Sequence, residues 1–287
     1  SQEEVNFDDY TQIEFDEDIL QIKNTWDIFS LNDKAIQEDF ELITEGRTSE
    51  PIPEGVQYIN KENIFIEEGA KLTFAFLNAT DGPIYVGKDA EIMEGCVVRG
   101  ALAMCEHSVL KLGTKIYGAT TLGPYCKVGG EVNNSVLMGY SSKGHDGFLG
   151  NSVLGEWCNL GADTNNSNLK NNYAEVKLWN YETGRFAKTG LQFCGLMMGD
   201  HSKCGINTMF NTGTVIGVSV NIFGPGFPRN FVPSFSWGGA SGFTEYKTNK
   251  VFEVADIVMK RRNLVFDAIE ERILKHVFEE TKQYRNY

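Results

Sequence analysis

Leu154-Gly-Glu-Trp-Cys158-Asn-Leu160-Gly-Ala-Asp-Thr164-Asn is one six-residue pattern written twice. An apolar residue leads, glycine usually follows, and a small or β-branched residue stands four places after the lead. The pattern recurs at Val86–Glu91, Ile92–Val97, Leu112–Tyr117, Leu122–Lys127, Val128–Asn133, Met198–Lys203 and Ile216–Asn221. Met198, Cys204, Phe210, Ile216 and Ile222 hold the lead position in phase. Periods near six belong to hexapeptide β-helices. The lead residue points into a narrow prism, glycine permits a tight corner, and the i+4 residue must be small to fit beside it. The expected fold is an all-β solenoid, a left-handed parallel β-helix of hexapeptide repeats with helical N- and C-terminal flanks. Such winding departs from the right-handed crossover rule. About seven to nine coils are expected between Ile64 and Ile222.

Outward from the repeats, three segments are expected. Residues 1–54 read as an acidic linker and a leading helix, residues 55–230 as the β-helix, and residues 231–287 as an irregular aromatic segment followed by C-terminal helices. Trp26, Phe29, Ile36, Phe40 and Ile43 have helical apolar spacing, and Pro51-Ile-Pro53 ends that run. Gly224-Pro-Gly-Phe-Pro228 reads as the close of the coils. From Asn249 to the C-terminus an apolar stripe predicts helix. Three stretches break the hexad phase: Gly100–Lys111, Val136–Phe148 and the longer Asn165–Gly195. Loops thrust from a rigid solenoid are where such proteins place function.

The chain has 287 residues and a formal net charge of −13, with 41% hydrophobic and 23% charged residues. This composition suits a soluble globular protein and argues against a general nucleic-acid binder, which needs a basic face. No membrane span and no signal peptide are read in the sequence. Ser1–Asp18 is strongly acidic and reads as a solvated arm. Cys96, Cys126 and Cys158 fill the small slot and Cys204 a lead slot, where cysteine acts as a small hydrophobe. No Cys-x-x-Cys pair occurs, so zinc and thioredoxin-type chemistry lack support and no metal is expected. A reducing, cytoplasmic compartment follows. Lys260-Arg-Arg262 reads as a solvated turn.

His145 is the strongest candidate for chemistry. It stands in Lys143-Gly-His-Asp-Gly-Phe-Leu-Gly-Asn151, just before the hexads resume. A neutral imidazole there can take a proton from an attacking amine or hydroxyl. By residue type alone, a lone histidine in a glycine-rich loop is more often structural. His107, His201 and His276 read as structural.

The stretch His145-Asp-Gly-Phe-Leu-Gly-Asn-Ser-Val-Leu-Gly-Glu-Trp-Cys-Asn159-Leu-Gly-Ala162 resembles a His-x-x-Tyr-Leu-Gly-Asp…Ile-Gly…Asn-Ile-Gly-Ala signature. That signature belongs to the bifunctional glucosamine-phosphate acetyltransferase/N-acetylglucosamine-phosphate uridylyltransferase family and its archaeal sugar-phosphate nucleotidylyltransferase relatives. Thr189-Gly-Leu…Gly195-Leu-Met-Met-Gly-Asp200…Gly205-Ile-Asn207 is similar to the archaeal continuation, and Trp26-Asp-Ile-Phe…Asn32 to the segment joining the family's two domains. The resemblance implies a homotrimer with an acetyl-CoA-dependent site between subunits. It implies that His145 removes the proton from a sugar amine, that Asn159 and Asn168 contact the sugar, and that Ala162 lies by the cofactor. Ile206 and Gly224 belong to the coils expected to form the acyl-CoA slot. The family tyrosine is Phe148 here and a family lysine pair is Asn133-Asn134, both at substrate-binding positions, and Asp163 replaces a glycine. Lys143, Lys170, Lys177 or Arg185 would then have to hold a phosphate. No glycine-rich nucleotide loop occurs, so nucleotidyl transfer is expected only upstream of Ser1. Two functions stay open: acyl transfer to an amino- or hydroxy-sugar phosphate, or a trimerising module of a nucleotidylyltransferase. A structural solenoid without a ligand is the third.

Overall fold

The computed structural model describes residues 10, 11, 13, 14 and 19–287, so most of the acidic stretch Ser1–Asp18 lies outside it. Three parallel sheets form the faces of a β-helix of about ten coils. Face A stacks Gln57–Ile59, Phe76–Asn78, Val97–Arg99, Lys115–Tyr117, Glu131–Asn133 and Phe148–Gly150. Face B runs through nine strands from Ile64–Ile66 to Phe231–Val232. Face C begins at Lys71–Leu72 and ends at the antiparallel pair Ser236–Gly239 and Gly242–Glu245. The register places Ile84 on Leu102 and Leu102 on Thr120, so each side chain meets its counterpart one coil on.

The hexad explains the section. Lead residues of face C (Leu72, Ile92, Leu110, Val128, Leu160, Cys204 and Ile222) all point inward and are buried. Each such burial contributes about 1.5–3 kcal/mol. The i+4 residues have no room to be large, and their short polar atoms close on neighbouring coils. Ser141 Oγ donates to Gly155 O at 2.6 Å, Ser202 Oγ to Gly217 O at 2.6 Å, and Cys126 Sγ to Met138 O at 2.8 Å. A buried hydroxyl without such a partner would be destabilising.

Several expectations shift. The stretches Gly100–Lys111 and Val136–Phe148 do not leave the solenoid: Leu102–Met104, Val109–Leu110, Val136–Leu137 and Ser142–Lys143 are ordinary rungs. Their inward residues are apolar or shielded, so the prism tolerates a lost glycine. Only 165–195 departs, carrying the hairpin Lys177–Asn180/Arg185–Lys188. Coils begin at Gln57 rather than Ile64 and run past 230, because Phe231–Val232 pairs with Val215–Ile216 and Trp237 with Asn221. The aromatic segment expected to be irregular is thus the last coil and its closing hairpin.

The flanks cover two faces. Helices α1 (Asp27–Ser30) and α2 (Asn32–Thr44) lie on face B, where Trp26 and Phe29 pack with Val136, Val153 and Met197, and Ile36 packs with Ala101 and Ala119. Helices α3 (Thr248–Lys260) and α4 (Ala268–Glu280) close over the edge between faces B and C through Phe235, Val251 and Leu274. Asp267 caps α4, its carboxylate accepting from the backbone N–H of Ile269 and Glu270. Among the described residues no helix is long and apolar enough to cross a membrane.

Candidate functional site

Face C ends at Lys143 and face A resumes at Phe148, and Gly144-His-Asp-Gly147 turns the corner between them. Gly147 has φ +113°, and the backbone of Thr164 lies where its Cβ would stand, which suits glycine. His145 is exposed at this corner. Among the described residues its ring accepts and donates no hydrogen bond. Asp146 is its neighbour in sequence and no ion pair joins them. The corner climbs regularly: Asp163 N–H donates to Asp146 O at 3.0 Å, and Asn207 N–H to Ala162 O at 2.8 Å. His145, Ala162, Ile206 and Gly224 therefore line one edge. Ile206 is 70% exposed, and open space lies beside Gly224.

The other expected site residues spread over adjoining faces. Phe148 and Asn133 lie on face A, where Glu131–Asn133 pairs with Phe148–Gly150. The Phe148 N–H donates to Asn165 Oδ1 at 2.8 Å. Asn168 sits at the corner between faces A and B, donating to Asn151 Oδ1 at 2.8 Å. Asn159 stands on face C, opposite Ser142. Asn159 and Asn168 thus sit on either side of face A's width and are not brought together within one chain.

Lys143 does not offer a phosphate ligand. It fills an inward position between Val128 and Leu160, is 2% exposed, and gives its Nζ to Gly129 O at 2.8 Å and His145 O at 2.9 Å. Burial holds its ammonium down to about 8, against the pull of Asp146, Asp163 and Glu131. The lysine is a brace that ties the His145 carbonyl to the coil below.

The cations instead converge on face C. Its outward column reads Lys127, Ser142, Asn159, Lys203 on four successive rungs. Ser142 and Asn159 floor a cavity of about 400 Å3, Lys127 and Lys203 stand at its ends, and Tyr140 and Trp157 form a wall. Val258 of α3, with Arg261 and Arg262 just beyond it, covers the opening. None of the ten lining residues is acidic. Among the described residues none of the four cations joins an ion pair, although Lys34, Arg47, Arg99, Lys250 and Lys260 do. Burial pushes the Lys127 ammonium down, helped by Arg262, Lys111 and Arg261, and burial does the same to Lys203. Lys203 Nζ rests on His201 O at 3.0 Å. Arg261-Arg262 forms the expected turn, with Arg261 exposed and Arg262 half-buried, and because α3 folds back over the solenoid both also line the groove. Lys127 and Lys203 each stand just before an inward lead residue, so hexad phase places both on an outward column. No sequence signal tied the arginines to that column.

Other reactive groups are shielded. Burial pushes the Cys126, Cys158 and Cys194 thiols up to about 12, which suits core cysteines rather than nucleophiles. His201 is buried, its Nδ1 unpartnered, and burial holds it down to about 4. Among the described residues no group of three His, Cys, Asp or Glu side chains is arranged to hold a metal ion.

Residues 1–48 match a family model described as sugar nucleotidyl transferase. No curated protein matches the chain. Solved structures with similar backbones include the polysialic acid O-acetyltransferase OatWY, at 14% identity and TM-score 0.28, covering 67% of this chain and 87% of that one. They include AntD, an N-acyltransferase from Bacillus cereus in complex with dTDP and 3-hydroxybutyryl-CoA, at 14% identity and TM-score 0.29, covering 79% and 96%. A Francisella novicida UDP-N-acetylglucosamine acyltransferase is similar at 12% identity and TM-score 0.29, covering 80% and 85%. Likeness at this level transfers no activity or substrate.

Proposed function

We propose that this chain is an acyl-CoA-dependent acyltransferase acting on an amino- or hydroxy-sugar phosphate. The observation that carries the reading is His145: an exposed imidazole with no hydrogen bond among the described residues, fixed at a solenoid corner whose edge continues through Ala162, Ile206 and Gly224. In the proposed reaction a neutral His145 nitrogen takes the proton of the amine or hydroxyl as its lone pair attacks the thioester carbonyl. The tetrahedral intermediate then expels the CoA sulfur, and the imidazolium returns the proton to that thiolate. The edge of small residues beside Ala162 leaves room for a pantetheine arm. We further propose a homotrimer in which a neighbouring face A completes the site, since within one chain only Phe148 borders this corner from the face A side, and Asn133 and Asn168 lie toward the opposite edge of face A. The test is thiol release from acetyl-CoA across amino-sugar phosphates. His145→Ala is expected to lower the rate by about 10²–10⁴-fold; an unchanged rate removes the histidine from the mechanism.

A second reading has its own support. The match of residues 1–48 to a sugar nucleotidyl transferase model fits an assembly module that serves a nucleotidylyltransferase. Titration calorimetry with acetyl-CoA separates the two: no heat at millimolar ligand, with the assembly intact, favours the module.

A further inference from the structure

The cavity on face C has no assigned occupant, and its chemistry is specific. A chain of net charge −13 gathers four cations around about 400 Å3, and among the described residues no carboxylate lines the groove or pairs with them. Clustered cations repel one another, and the lowered ammonium of Lys127 reports that repulsion as well as burial. Such a cluster is stable when an anion completes it. Arginine forks and lysine ammonium groups are the usual phosphate clamps, and Ser142 and Asn159 add neutral donors on the floor.

We propose that this groove binds the phosphate of the sugar acceptor, a reading that rests on the acyltransferase function above. Position supports this source over the nucleotide head of acyl-CoA. Ser142 of the groove floor lies three residues before His145, which stands in the turn just after the strand Ser142–Lys143, so the fully extended spacing is the upper limit of their separation. At about 3.3 Å per residue that is roughly 10 Å. A hexose ring held by its phosphate spans such a gap. The pantetheine arm of CoA is much longer and would overshoot the corner.

Intrinsic fluorescence of Trp157, isolated by replacing the other three tryptophans with phenylalanine, follows binding without any need for turnover. Calorimetry on the unmodified chain checks it. The probes are glucosamine 1-phosphate and UDP for the acceptor side, and adenosine 3′,5′-bisphosphate for the donor side. Saturable binding of glucosamine 1-phosphate or UDP is expected, weakened about tenfold or more in Arg261→Gln/Arg262→Gln. Binding of neither acceptor probe, or binding indifferent to the arginine pair, overturns the proposal. Binding of adenosine 3′,5′-bisphosphate alone, lost in the arginine variant, also overturns it by giving the groove to the donor. The arginines lie at the exposed end of α3, and Lys127→Gln supplies a second variant on the solenoid itself, so a misfolded variant does not decide the matter. If acyl transfer fails while acceptor binding persists, the acyltransferase reading falls and the groove stands.

Discussion

At the residue scale, Lys143 shows how a polar side chain enters a hexapeptide prism. Its stem follows the line of Val128 and Leu160, and its head reaches two carbonyls at the corner. A neutral amine has two N–H groups for those two acceptors, whereas the ammonium has a third and a buried charge. In the unfolded chain the lysine titrates near 10.5, and in the fold near 8. The unfolded state therefore holds more protons between pH 8 and 10.5, and stability rises with pH across that window. The shift corresponds to about 3 kcal/mol. Lys143→Met is expected to be at least as stable as the parent at pH 7, and its advantage is expected to shrink as pH rises through 8 toward 10. Thermal melts of both proteins over that range check this, and a constant difference would show that burial is not what moves the lysine.

At the element scale, the edge between faces B and C is a column of left-handed residues that are not glycine. His107, Tyr125, Tyr140, Trp157 and His201 have φ of 55°, 59°, 62°, 60° and 58°. Each such turn costs about 1–2 kcal/mol for a residue with a Cβ. Stacking offsets it: successive ring centroids lie 4.7, 5.1, 4.2 and 6.2 Å apart with nearly parallel planes. The ladder rigidifies the edge against which α3 presents its arginines. His201 ends it, buried and held down to about 4 from 6.5. The unfolded histidine binds its proton first, so this stability is present above pH 6.5 and is lost as pH falls toward 4. His201→Phe keeps a ring in the stack and removes the titration. Its denaturant midpoint is expected to fall less than the parent's between pH 6.5 and 4, by about 3 kcal/mol in unfolding free energy. Equal acid sensitivity would assign the loss to other groups.

At the scale of the whole molecule, two faces are covered by the chain's own helices and face A is not. Its outer columns carry Phe76 at 53%, Ile59 at 57% and Val97 at 49% exposure, an apolar strip along the first coils. Contiguous exposed apolar surface of this kind marks an interface. The proposed trimer places face A of one copy against another, and sedimentation is expected to read three times 32.1 kDa. Phe76→Glu/Val97→Glu is expected to yield monomers with an intact solenoid by circular dichroism. A parent that sediments as a monomer at micromolar concentration removes the trimer and, with it, any site shared between subunits.

The hexads of Leu154–Asn165 alone determined the solenoid, because a six-residue period with one apolar and one small position fits only a narrow prism. They also placed Cys96, Cys126, Cys158 and Cys204 inside, where the structure buries them, although Leu112, read as a lead residue, is 66% exposed at a corner because Leu110 takes the inward place. They misplaced the ends, reading Gly224–Pro228 as the close and Val136–Phe148 as a loop, because strand pairing across coils holds a rung even where the glycine is missing. His145 was read in a loop just before the hexads resume, and the structure sets it instead at a solenoid corner, exposed. The burial of Lys143 was not legible: its inward direction depends on register with Val128 and Leu160. Nor was the groove, whose cations come from positions 127, 203, 261 and 262. Hexad phase speaks for two of these. Only the fold-back of α3 across the edge between faces B and C adds the other two, and packing between distant segments leaves no period in the sequence.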